Sequence, residues 1–381
     1  MPPAAEASPL PEEKSREYNR IKLRLSLADM VLSLLLITLL AFSGISPFLA
    51  ETIRRHYDGS GSLQFLLFLA VAGSAMGLLG LPMDFYGSYI LEHRFGLSNQ
   101  SLPQWLTERL KSLSVGLVLG IPVALVFYQF LLIAGADWWI YFSLFLFFFS
   151  VILARVAPVL IYPLFYKFTP LDDGGLREKI TALLKGFDLE IKGIYSFNMS
   201  RDTKKANAGF TGIGRSKRIV LSDTLLEKFT PEEIAVVFAH ELGHYQKRHI
   251  PKNMILSAFV IFGAFYLCGV LYDITRAAYG YTSLHEIAAL PQLFFHLTLF
   301  GLIVMPLTNG LSRRFEREAD RFALELTGDR AAFVSAMEKL ADVNLADREP
   351  HPLTEFFLYS HPSLKKRIDY ARSFEPGDKT R

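Results

Sequence analysis

Leu144–Phe165 reads LFLFFFSVILARVAPVLIYPLF, and no helical or strand arrangement of it leaves a polar face for water. Its only formal charge is Arg155. At 1.5 Å per residue it is long enough to cross a bilayer core, which takes about 20 apolar residues. Five further stretches meet the same criterion: Leu27–Leu49, Ser62–Leu81, Leu113–Ile133, Met254–Ile274 and Ile287–Leu307, and the quoted run overlaps the remaining span, Trp138–Tyr162. Concentrating apolar residues in six spans explains how a chain of 381 residues is 51% hydrophobic and still 20% charged. The sequence therefore predicts a mainly α, multi-pass membrane protein.

Lys and Arg between the spans set the orientation. The leader is basic (Lys14, Arg16, Arg20, Lys22, Arg24), whereas the first connection has only Arg54 and Arg55, the third none, and the fifth only Arg276. The second connection carries Arg94, Arg109 and Lys111, and the fourth connection and the tail hold most of the rest. This alternation places both termini and the long polar segments in the cytoplasm. The expected organisation is a leader (1–26), four spans (27–165), a first catalytic part (166–252), a two-span hairpin (253–308) and a second catalytic part (309–381). The Pro/Ala/Glu-rich start reads as disordered, and the apolar stretch after the leader is too long for a cleavable signal core. A net charge of +3 gives no reason to expect nucleic acid. One cysteine, Cys268, excludes an intrachain disulfide and any zinc site built on several thiolates.

Within the first polar part, Leu176–Phe187 reads as an amphipathic helix and Ile194–Phe197 as a strand. Asn207–Gly212 and Arg218–Leu221 read as a hairpin. Thr230–His249 reads as one helix: Thr230 caps it, Pro231 takes the first position, and Glu233 completes a capping box.

That helix contains His240-Glu241-Leu242-Gly243-His244. Spacing of four sets both imidazoles one turn apart on one face, so they can hold one metal ion, and Glu241 can act as base toward an activated water. His249, nine residues beyond His240, falls on the opposite face at about 100° per residue and is read as a capping or solvent residue. The third ligand is sought in SRRFEREAD (Ser312–Asp320), where Glu316 and Asp320 share a face. Glu316 suits a metal ligand and Asp320 the acceptor that orients a ligating imidazole. By spacing alone, surface pairing of Glu316 with Arg313 or Arg317 explains it equally well. Glu318 points away and reads as solvated. Two histidines and a carboxylate leave a fourth position open, the catalytic kind of zinc site.

At these residues the chain resembles the type I CAAX prenyl proteases, which are membrane zinc peptidases. The likeness runs from about Gly80 to Tyr370 and includes YPLFYKFTPL (Tyr162–Leu171), NAGFTG (Asn207–Gly212), KRIVLSDTLL (Lys217–Leu226), HELGHYQKRH, SRRFEREAD and YSHPSLKKR (Tyr359–Arg367). The resemblance implies one zinc ion on His240, His244 and Glu316, with Glu241 as base. It implies that Asn207 holds substrate backbone, that His361 stabilises the oxyanion, that Arg367 lies near substrate, and that Asp320 stands where a proton donor is often assigned. The family's NAY is NAG here, removing an aromatic beside Asn207. The further N-terminal span of eukaryotic members is not found, which points to a bacterial homologue in an inner membrane; a eukaryotic member would sit in the endoplasmic reticulum.

The leading expectation is thus a zinc metalloendopeptidase that cuts peptide or protein substrates at the cytoplasmic face, including a prenylated C-terminus. Quality-control cleavage without a lipid requirement is a second reading, and a scaffold or transporter with a structural metal site a third. Arg155 is either a functional intramembrane charge or a snorkelling one. His296 reads as packed or hydrogen-bonded within the last span.

Overall fold

The computed structural model describes residues 11–171, 174–185, 187, 193–211 and 218–375. Its membrane part begins with α1 (Pro11–Phe42), the short α2 (Ile45–His56) and α3 (Gly61–Phe85), which runs on through Tyr86–Ile90 into α4 (Leu91–Arg94). Then come α5 (Leu102–Ile133), α6 (Trp138–Leu160) and α7 (Tyr162–Phe165). Among the described residues six helices are long and apolar enough to cross a membrane, each overlapping a span read from the sequence, the first ending at Phe42 rather than Leu49. With no water in a bilayer core, a helix is the element that satisfies its own backbone groups. At 12 residues α2 is about 18 Å long, too short to span.

The catalytic part follows: β1 (Phe168–Pro170), α8 (Gly174–Leu184), β2 (Ile194–Phe197), β3 (Ala208–Thr211), β4 (Arg218–Ser222), α9 (Asp223–Lys228) and α10 (Pro231–Gln246). The sheet has the order β1-β2-β4-β3, with β2/β4 parallel and the two outer pairings antiparallel. β1 was not read from the sequence: Phe168-Thr169-Pro170 has too little pattern to signal a strand. The hairpin turn at 212–217 lies outside the described residues, as do Gly212 and Lys217 of the quoted motifs.

The membrane hairpin consists of α11 (His249–Ala278) and α12 (Leu290–Thr327), and the chain ends in α13 (Arg330–Asn344), α14 (Pro352–Leu358) and α15 (Leu364–Ser373). One apolar core joins residues from both catalytic parts, among them Leu176, Leu221, Phe238, Ala323, Phe333 and Ile368. The hairpin returns the chain so that these two parts close on each other. A second core, around Phe127, Trp138, Phe142, Phe265 and Leu293, packs α5 and α6 against the hairpin. His296 lies there as a buried residue with Nε2 3.2 Å from Thr275 Oγ1, the hydrogen-bonded role expected of it. Arg155 is exposed on α6.

Further boundaries differ from the sequence reading, and the helix read as Leu176–Phe187 runs from Gly174 to Leu184. The segment from Pro11 is not a loose leader but the start of α1, where Ser15 Oγ donates to Ala346 O (2.7 Å) and Asn19 Nδ2 to Leu345 O (2.6 Å). Residues 1–10, the rest of that reading, lie outside the described residues. No break separates membrane from catalytic part at 308/309, because α12 is one 38-residue helix. Glu316 follows Leu290 by about 39 Å of helix rise, past a hydrocarbon core of about 30 Å. Finally, the helix read as Thr230–His249 stops at Gln246, and Arg248 has left-handed backbone (φ 55°, ψ 39°) that turns the chain into α11.

Candidate metal centre

The geometry starts at the entry to α10. Thr230 Oγ1 accepts from Glu233 N (3.3 Å), and a Glu233 oxygen accepts from Thr230 N (2.8 Å), the reciprocal cap that Thr-Pro-Glu-Glu signals. Lys339 Nζ (2.8 Å) and Ser335 Oγ (2.5 Å) of α13 donate to the same carboxylate. Burial pushes the Glu233 carboxyl up, but these hydrogen bonds outweigh it and hold it below the usual carboxylate range. The cap thus fastens the motif helix to the last helices of the chain.

At the other end Gly243 lets α10 approach α12 closely. A Cβ there would lie 3.0 Å from Ala319 Cα, 3.1 Å from Ala319 O and 3.1 Å from Phe322 Cβ. This close crossing brings Glu316 of α12 to the two imidazoles of α10. His240 Nε2 and His244 Nε2 are 3.2 Å apart, His240 Nε2 and Glu316 Oε2 3.3 Å, and His244 Nε2 and Glu316 Oε1 3.3 Å. These three residues form a group able to hold a metal ion. Glu316 Oε2 is buried without a hydrogen-bond donor among the described residues, so the cluster has an acceptor with nothing yet to satisfy it.

His240 turns its other nitrogen to Asp320: Nδ1 lies 2.8 Å from Oδ1. Arg367 grips the same carboxylate with Nη2 (2.6 Å to Oδ1) and Nε (2.8 Å to Oδ2). Burial pushes the His240 imidazole down, but the Asp320 and Glu316 carboxylates beside it outweigh this and raise its pKa to about 9. Asp320 is 1% exposed, so its geometry is that of an acceptor orienting His240, not of a donor reaching substrate. Arg367 is buried with its guanidinium on Asp320, and it borders a hollow that Asn207 and His361 also line.

Glu241 is half-buried and makes no hydrogen bond or ion pair with a described residue, which leaves its carboxylate available. His361 is exposed and points Nε2 to within 3.4 Å of Glu316 Oε1, while its Nδ1 lies 2.9 Å from Ser360 Oγ. Asn207 immediately precedes β3, the last strand of the sheet, whose outer edge pairs with no described strand. Asn207 and His361 both line a hollow of about 570 Å³. On its other side Asn207, with Gly209, lines a smaller hollow of about 280 Å³ walled by Tyr162, Tyr166, Phe168 and Phe197.

Two residues of the HELGHYQKRH and SRRFEREAD motifs overturn their sequence reading. His249 is 2% exposed, with Nδ1 2.9 Å from His244 Nδ1 and Nε2 3.1 Å from Glu318 Oε2. Glu318 is accordingly engaged, not free in solvent. His249 would fall on the opposite face of one continuous helix, but α10 ends at Gln246 and the left-handed turn at Arg248 redirects the chain. The signal that was available is the third histidine itself, following a two-histidine motif at short range.

Two family models match the chain. "CAAX prenyl protease N-terminal, five membrane helices" covers residues 4–167, and "Peptidase family M48" covers residues 170–375. The chain belongs to peptidase family M48. It is 32% identical to "Uncharacterized metalloprotease YhfN" of Bacillus subtilis over 98% of this chain and 88% of the relative. It is also 32% identical to "CAAX prenyl protease 1 homolog" of Arabidopsis thaliana over 93% of this chain and 86% of that one. The crystal structure of Ste24p from S. mikatae superposes with a TM-score of 0.83 at 29% identity, covering 97% of this chain and 90% of that chain. The M48 chain described here is therefore a multi-pass membrane metalloprotease acting on peptide or protein substrates, which sets aside the scaffold reading. The segment matched by the five-helix description holds four helices of spanning length together with the short α2.

Proposed function

We propose that this M48 protein is a zinc endopeptidase whose ion is held by His240, His244 and Glu316. The observation that carries this reading is the convergence of two imidazole nitrogens, 3.2 Å apart, on one carboxylate, His240 Nε2 lying 3.3 Å from Glu316 Oε2 and His244 Nε2 3.3 Å from Oε1. Tetrahedral ligands at about 2.0–2.1 Å from zinc are about 3.3–3.4 Å apart, the same scale as these separations, and two imidazoles with one carboxylate leave a position open. A bound zinc ion supplies Lewis acidity toward water and the scissile carbonyl.

The protein's own residues account for the rest. An extended peptide adds to the free edge of β3, with the Asn207 amide holding its backbone. Glu241 takes the proton of the attacking water on a carboxylate oxygen and returns it to the leaving amine. His361, with Nε2 facing the cluster, donates to the oxyanion. Asp320 and Arg367 keep His240 in the tautomer that presents Nε2.

The helix rise along α12 sets this site just beyond the apolar core, so the bond to be cut lies at the membrane boundary. The Lys/Arg asymmetry of the connections supports the cytoplasmic side, and the Bacillus subtilis relative supports residence in a bacterial membrane. Several relatives are named CAAX prenyl proteases, and we extend that substrate class, a prenylated C-terminus, to this chain. Purified protein is given a farnesylated C-terminal peptide and its unmodified twin, with and without chelator. Chelator-sensitive cleavage of the farnesylated peptide alone is expected. Equal cleavage of both would transfer the function to lipid-independent quality control.

A further inference from the structure

We propose that His249 and Glu318 form a positioning relay that fixes the tautomer and orientation of His244, the counterpart of what Asp320 does directly for His240. The inference rests on His244 being a metal ligand through Nε2.

The two ligating imidazoles have different backing. Behind His240 lies a carboxylate, Asp320, at 2.8 Å. Behind His244 lies another imidazole, with the two Nδ1 atoms 2.9 Å apart. Two neutral rings can share that contact in one direction at a time, and the surroundings select which. Presenting Nε2 to a metal leaves His244 protonated on Nδ1, so His244 donates and His249 Nδ1 accepts. His249 must then carry its own proton on Nε2. That atom lies 3.1 Å from Glu318 Oε2, a carboxylate that can only accept. Every donor in the series thus meets an acceptor: His244 Nδ1–H to His249 Nδ1, then His249 Nε2–H to Glu318.

Both ends of the relay are held. The His249 ring stacks on Phe315 with centroids 4.3 Å apart and planes 13° from parallel, which sets its rotation. Glu318 Oε1 accepts from Arg314 Nε (3.1 Å), and Lys252 Nζ lies 3.7 Å from Oε2. The left-handed residue Arg248 is what makes the arrangement possible, because it folds the start of α11 back over the last turn of α10. Glu318 and Glu316 also stand two residues apart on α12, so one helix supplies both a ligand and the anchor for another ligand.

The test measures zinc dissociation constants of the full-length protein in detergent by competition with a chromogenic chelator. His249→Phe keeps an aromatic ring on Phe315 but offers no acceptor to His244, and its dissociation constant should rise by about 10–100-fold. His249→Asn restores an acceptor oxygen near the Nδ1 position and should recover most of that loss. Glu318→Ala, which frees the His249 tautomer, should weaken binding in the same direction. A His249→Phe constant within twofold of the unmodified protein would overturn the relay. So would His249→Asn binding as weakly as His249→Phe, since ring packing alone would then explain the loss. His244→Ala separates the two readings: if that variant binds zinc undiminished, the metal site itself is wrong.

Discussion

Asp320 Oδ1 stands 2.8 Å from His240 Nδ1, and the same buried carboxylate receives two N–H groups of Arg367. One acidic side chain therefore faces both the imidazole proposed to bind the metal and a buried guanidinium. Asp320→Ala should weaken zinc binding by about 10–100-fold through loss of that orientation, whereas Asp320→Asn keeps an acceptor oxygen and should lose less. Asp320→Ala should in addition destabilise the fold by about 3–5 kcal/mol, since Arg367 keeps its charge with no partner. Chelator competition reads the first effect and thermal denaturation the second.

Glu241 sits between two ligands but bonds to no described residue. Glu241→Gln should lower peptide cleavage by about 10²–10⁴-fold. The zinc dissociation constant should stay unchanged, because the carboxylate is not a ligand. Measuring both on one preparation checks the division of labour: a parallel loss of metal would make Glu241 a ligand instead of a base.

Gly243 is the point of closest approach between α10 and α12, and a Cβ would press on the backbone of Ala319. Backbone cannot turn aside as a side chain can. Gly243→Ala should therefore cost about 1–3 kcal/mol and push Glu316 away from the imidazoles, lowering thermal stability and metal affinity together. Unchanged values for both would show that the crossing has slack.

Glu233 has a folded-state pKa below its unfolded value, held there by Lys339, Ser335 and the Thr230 N–H against the opposing effect of burial. A depressed carboxylate contributes stability that is present above its unfolded pKa of about 4.3 and is lost as pH falls through the folded value. Glu233→Gln should lower stability near pH 7 and flatten its decline in acid. Denaturation midpoints at pH 7 and on acidification compare the two proteins, and identical pH profiles would remove Glu233 from the acid response.

The sequence made legible what rests on periodicity and local chemistry. Hydropathy marked the spans, Thr230-Pro231-Glu232-Glu233 marked the start of α10, and the spacing of four marked His240 and His244 as a pair. Glu316 needed more than spacing, because a carboxylate beside Arg313 and Arg317 looks the same on a solvated helix; resemblance across several motifs singled it out. What escaped depended on tertiary packing. Nothing local requires Arg248 to take left-handed backbone, and without that turn His249 projects to the wrong face and Glu318 has no partner. The pairing of Arg367 with the buried Asp320 is likewise invisible to a sequence, which shows an arginine near the site but not the acid it faces. The Ser15 and Asn19 contacts to Ala346 and Leu345 join residues more than three hundred positions apart, beyond any local pattern.

The central claim is that donors from α10 and α12 grip one ion together. Metal analysis of purified Glu316→Ala beside the unmodified protein tests it most directly, with circular dichroism confirming that both remain helical. The account predicts one zinc per chain in the unmodified protein and almost none in the variant. Full zinc content in folded Glu316→Ala would contradict it.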